Sequence, residues 1–121
     1  MSLKDEISAA IGAHGSWKTR IRTAIESGTS EFSPLNVAAD NKCAFGKWLY
    51  GVTDRQVIAS PEYQKCRSLH RDFHTLAAKV LSLALDGKKI EAEKMMAPGG
   101  NYAALSSSLT RAMMEWQQKA A

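Results

Sequence analysis

Residues 60–85 read SPEYQKCRSLHRDFHTLAAKVLSLAL, and this stretch decides the fold. Tyr63, Cys66, Leu69, His70, Phe73, His74, Ala77, Val80, Leu81 and Leu85 fall on one stripe with steps of three and four. That is the period of an amphipathic α-helix, not the alternation of a strand. Ser60 can cap its start, Pro61 suits the first helical position, and Glu62 complements the positive end of the helix dipole. Asp86-Gly87 supplies the stop.

The same spacing extends to both sides. Leu3, Ile7, Ala10, Ile11, His14, Trp17, Ile21 and Ile25 predict a helix from Leu3 to Ser27, capped by Ser2 and ended by Gly28. Gly12 and Gly15 weaken it around His14, either as plain defects or to let another backbone approach. A polar connection follows from Gly28 to Pro34. A shorter helix is expected from Asn36 to Tyr50, carrying Val37, Cys43 or Ala44, Trp48 and Leu49, and closed by Gly51. Gly46 inside it costs up to about 1 kcal/mol relative to Ala, which points to tight packing there. A short charged helix runs from Lys89 to Ala97 and ends at Pro98-Gly99-Gly100. The last helix, Tyr102 to Lys119, carries Leu105, Leu109, Met113 and Trp116. These elements predict an all-α fold, a four-helix bundle with one additional short helix, in a single domain over residues 1–121.

Composition narrows the function. The chain is 45% hydrophobic and 23% charged, with 16 basic against 12 acidic residues and a formal charge of +4. The basic residues are dispersed, with Lys88-Lys89 and Arg20/Arg22 the densest groups. This argues against nucleic acid as a partner, since binders gather charge on one face among aromatics. Apolar runs stop well short of the ~20 residues that a membrane span needs, so no direct membrane insertion is expected. Two cysteines and no targeting segment suggest a reducing, cytoplasmic location.

His70 and His74 are four residues apart, so their Cα atoms are rotated by about 40° and separated by roughly 6 Å along the axis. Both rings can converge on one ion. Two surface histidines, or one core and one exposed histidine, would give the same spacing. His14, Cys43 and Cys66 are the other metal-capable side chains. Cys66 lies four residues before His70, but its Cα is roughly 12 Å from that of His74, too far for one straight helix to place all three on one ion. Cys66 is then a small buried hydrophobe, or a competitor of Cys43 paired with His70 alone.

Three local patterns, His14-x-x-Trp17, Cys43-x-Phe45-Gly46-Lys47-Trp48-Leu49 and Leu69-His70-x-x-Phe73-His74, resemble the CZB family, the chemoreceptor zinc-binding domains of bacteria. The resemblance covers a motif-bearing core of about residues 10–84. It implies a helical bundle holding Zn²⁺ through His14, Cys43, His70 and His74, with no departure at a ligand position, and it leaves Cys66 as core or bystander. Trp17, Phe45, Trp48 and Phe73 lie near these ligands and are expected to wall the ion. Asp40 and Asp72 are the carboxylates close in sequence to the ligands and the candidates to accept an imidazole N–H.

Four protein ligands close the zinc shell, whereas hydrolytic sites keep a position for water, and His-Glu-x-x-His is absent. The expectation is therefore not an enzyme. The resemblance implies a cytoplasmic sensory domain, typically a homodimer, whose partner is the signalling output domain of a parent protein, a chemoreceptor or a diguanylate cyclase. Its input is zinc or an oxidant such as hypochlorous acid, with Cys43 as the redox switch because a metal-bound thiolate is deprotonated and nucleophilic. Two other readings stand beside it: a purely structural zinc-stapled helical dimerisation module, and a metal-free helical adaptor.

Overall fold

Ser2 opens the first helix by a reciprocal cap: its hydroxyl accepts the Asp5 N–H at 3.2 Å, and the Asp5 carboxylate accepts the Ser2 N–H at 3.4 Å. The computed structural model describes residues 2–120, apart from the side chain of Ala44. Its helices are α1 (Leu3–Ser27), α2 (Pro34–Ala38), α3 (Ala44–Gly51), α4 (Arg55–Ala59), α5 (Pro61–Leu85), α6 (Lys89–Met96) and α7 (Asn101–Lys119). Among the described residues there is no strand. The all-α bundle is as expected, with α1, α5 and α7 as its long members.

The two longest helices end as their sequences indicate. Gly28 adopts φ 72° and donates its N–H to Ala24 O at 2.8 Å. After α5, Gly87 at φ 78° donates to Ala84 O, and Lys88 reaches back to Leu83 O at 2.9 Å. This paired bond satisfies carbonyls that the helix leaves open. Ser60 starts α5 by accepting the Tyr63 N–H at 3.2 Å.

The expected helix from Asn36 to Tyr50 is two helices. Ser33 and Pro34 form a cap and first turn earlier than expected, with the Ser33 hydroxyl accepting the Asn36 N–H. The chain then turns extended at Ala39 (φ −78°, ψ 117°) and again at Cys43 (φ −76°, ψ 162°). Asp40 and Asn41, turn formers by their side-chain bonding, stand in the break. The expected apolar role of Ala44 concerns a side chain outside the described residues. Helix α4 was not anticipated. Asp54 caps it by accepting the Gln56 N–H at 2.9 Å, but five residues are too few to show a period. Gly12 and Gly15 admit no close neighbour, since a Cβ on either would meet nothing within 4 Å.

Helix α5 is the centre of the bundle and packs against α7, α2, α1 and α6. Its buried stripe runs from Tyr63 through Phe73 to Ala84. Ile7 and Ile21 of α1, Leu49 of α3, and Leu109, Met113 and Trp116 of α7 complete the core. Each such side chain contributes about 1.5–3 kcal/mol by leaving water. The Tyr63 hydroxyl donates to Leu49 O at 2.7 Å, tying the end of α3 to α5. Among the described residues no helix is long and apolar enough to cross a membrane.

Candidate metal centre

Helix α5 supplies two imidazoles from consecutive turns of its buried face. His70 is 2% exposed and His74 is 1% exposed, with their Nε2 atoms 3.0 Å apart. Burial holds His70 well below the usual imidazole range, at about 3, and the neighbouring His74 adds to this. Burial also lowers His74. Both rings are therefore neutral near pH 7, each with one N–H and one lone pair.

The role of each His74 nitrogen follows from α2. That helix ends so early that the Val37 carbonyl has no partner within it, and it accepts the His74 Nδ1–H at 2.8 Å. A carbonyl only accepts, so the proton is on Nδ1 and the Nε2 lone pair faces His70. The sequence suggested carboxylates for this work, but neither does it. Asp40 accepts the Tyr50 hydroxyl, and Asp72 lies at the surface 3.9 Å from Arg71.

Cys43 completes a triangle. Its Sγ lies 3.3 Å from His70 Nε2 and 3.4 Å from His74 Nε2. It is placed there because it caps α3, its sulfur accepting the Gly46 N–H at 3.2 Å. Gly46 lets the preceding turn fold over the helix, since a Cβ at that position would stand 1.8 Å from Asp40 O. Burial raises the thiol pKa, while the Gly46 N–H opposes the rise. A cation at the triangle would favour the thiolate further.

These distances fit a metal. Tetrahedral zinc, with bonds of about 2.0 Å to nitrogen and 2.3 Å to sulfur, separates two nitrogens by about 3.3 Å and nitrogen from sulfur by about 3.6 Å. The observed edges of 3.0, 3.3 and 3.4 Å are nearly those of one face. A hydrogen bond between the rings would explain one edge, but would not hold the sulfur almost equidistant from both. The His70 Nδ1 is buried with no hydrogen-bond partner, so the ring's position is not set by a bond at that atom.

His14 stands apart from this group. The donors that all lie within 4.8 Å of one another belong to Cys43, His70 and His74. His14 lines the same cavity of about 400 Å³, buried on α1 and edge-on to Phe73 at 4.4 Å between ring centres. Its Nε2 lies 3.3 Å from Ser106 Oγ on α7. Burial lowers its pKa to about 4, with repulsion from His74 adding to the effect. Ser106 was not read from the sequence; a serine in the run Ser106-Ser107-Ser108 carries no signal of its own.

Cys66 settles as core: it is 0% exposed, outside the triangle, and its thiol is pushed by burial up to about 12. The aromatic wall is largely as expected. Phe45 meets His70 edge-on at 4.8 Å, Trp17 meets His74 at 5.6 Å, and Phe73 touches both His14 and His74. Trp48 stacks on Phe45 one layer farther out. Arg20 lies over the Trp17 and Phe32 rings at the cavity's edge.

A family model described as the chemoreceptor zinc-binding domain matches residues 14–81, more than half of the chain. The matched segment contains His14, Cys43, His70 and His74, and ends before α6 and α7. No curated protein and no solved structure matches. The chain belongs to the chemoreceptor zinc-binding domain family, and its Cys43–His70–His74 cluster is positioned to hold the zinc ion.

Proposed function

We propose that this domain regulates a bacterial signalling protein through a zinc site made by Cys43, His70, His74 and His14, with Cys43 as the ligand that an oxidant removes. The triangle of donors carries this reading. His14, which shares its cavity, supplies the fourth vertex after a movement of its ring. The four ligands then join α1, the start of α3 and α5, so losing one loosens three elements together.

Cys43 is suited to the redox role by position. It is only half-buried, caps a helix and belongs to the metal cluster, whereas Cys66 is sealed in the core. With hypochlorous acid, the thiolate sulfur attacks chlorine and displaces hydroxide. Water then replaces chloride to give the sulfenic acid, releasing chloride and a proton. A sulfenic acid is a poor replacement for the thiolate, and zinc binding weakens. Cys43 and Cys66 are both free thiols, which suits a reducing cytoplasmic location. In this reading the domain acts as a homodimer and passes its state to an output module of chemoreceptor or diguanylate cyclase type.

Metal analysis of tag-free protein should find one zinc per chain, and chelator competition should show that His14→Ala, Cys43→Ser, His70→Ala and His74→Ala each weaken binding. One equivalent of hypochlorous acid should release zinc and modify Cys43 but not Cys66, as read by mass spectrometry. Zinc that stays bound through oxidation removes the oxidant reading and leaves zinc sensing or a structural staple, which zinc affinity separates. A chain that takes up no zinc refutes all three.

A further inference from the structure

We infer that Ser106 is a positioning residue of the metal centre: its hydroxyl holds His14 on α7, so that α7 and zinc compete for one imidazole. This rests on the reading of His14 as the fourth ligand.

The observations are geometric. Three donor atoms already stand close to one face of a tetrahedron, while neither His14 nitrogen joins the group within 4.8 Å. His14 is not loose: it is 6% exposed, its ring is set against Phe73, and its Nε2 lies 3.3 Å from Ser106 Oγ. To complete the shell through Nε2 the ring must rotate or shift towards the triangle, and Nε2 then exchanges the Ser106 hydroxyl for the ion. Helices α1 and α7 pack against each other, and Gln117 also bonds Ser8 across this interface, so among the described residues His14–Ser106 is one of two side-chain ties between them. Exchange of the imidazole from one partner to the other changes the α1–α7 interface when zinc binds. Helix α7 lies outside the matched family segment, so this tie is not part of the motif that identifies the site.

The coupling has a definite sign. Removing the hydroxyl frees His14 for the metal, so Ser106→Ala should bind zinc more tightly. A hydrogen bond of ordinary net strength corresponds to an increase of about two- to tenfold. Ser106→Thr keeps the hydroxyl and should bind zinc as the unaltered protein does.

The experiment is chelator competition for zinc on the full chain and on Ser106→Ala, Ser106→Thr and His14→Ala. It is paired with ¹⁵N NMR of the His14 ring in zinc-free protein. Tighter binding in Ser106→Ala, a shifted His14 ring signal in that variant, and parent-like behaviour of Ser106→Thr are the expected results. Unchanged or weaker binding in Ser106→Ala overturns the competition; weaker binding would mean that Ser106 supports His14 as a ligand. If His14→Ala binds zinc as tightly as the parent, the four-ligand reading fails instead, which separates the two failures. Zinc-free unfolding midpoints show whether each variant is folded.

Discussion

Gly46→Ala should displace the cysteine and weaken zinc binding, although the same change in most helices is stabilising. Ala is preferred over Gly by up to about 1 kcal/mol in a helix interior. Against this, the new Cβ would stand 1.8 Å from Asp40 O, 2.8 Å from Asp40 C and 3.2 Å from Asn41 Cα, all backbone atoms. Bringing the carbonyl to ordinary contact requires a shift of about 1.5 Å. Overpacking of this kind costs about 1–3 kcal/mol, and more where backbone must move, so the clash outweighs the propensity gain. The displaced turn leads directly into Cys43, whose Sγ has only 3.3 and 3.4 Å to the two imidazole nitrogens. Zinc affinity should therefore fall by about tenfold or more, the scale set by loss of fit at a metal ligand. Chelator competition on Gly46→Ala and the parent measures this, with circular dichroism confirming that the helices remain. Parent-like zinc affinity together with a raised unfolding midpoint would refute the close approach of Asp40 to α3.

Three other outcomes follow from the same geometry. The zinc-free protein should lose stability on acidification, because His14 and His70 are held at about 4 and about 3 against an ordinary 6.5. The unfolded chain binds more protons between these values, so this stability is present above pH 6.5 and is lost as pH falls towards 4 and 3. Between pH 7 and pH 5 the loss is about 2 kcal/mol for each ring, measurable by urea unfolding with chelator present, and a flat profile would contradict it. Tyr63→Phe leaves the Leu49 carbonyl without its hydroxyl donor and should cost about 1–3 kcal/mol in denaturant unfolding while zinc stoichiometry stays unchanged. Cys66→Ala leaves a small cavity in the core and should lower the unfolding midpoint, but zinc should still bind at one ion per chain.

The long helices were legible because their signals are local and repeated. Ser2 and Gly28 bracket α1, Ser60-Pro61 and Gly87 bracket α5, and the stripes between them show which face is buried. From Asn36 to Tyr50 the sequence predicts one helix because Val37, Cys43, Trp48 and Leu49 mimic a continuous period. What interrupts it is tertiary: the Val37 carbonyl bonds His74, and the turn over Gly46 brings Cys43 to the histidines. His70 and His74 were visible as a helical pair, whereas the meeting of Cys43 with them depends on packing between separate helices. The sequence points to side-chain carboxylates as partners of an imidazole, whereas His74 bonds a main-chain carbonyl, which no residue type announces. Ser106 was hidden for a related reason, since its 92-residue separation from His14 is bridged only by the packing of α7 on α1.

X-ray absorption at the zinc edge, on protein purified without an affinity tag, tests the central claim most directly. The account predicts one zinc per chain with one sulfur neighbour at about 2.3 Å and three nitrogen neighbours at about 2.0 Å. A zinc shell without sulfur, or one containing two sulfurs, would contradict it.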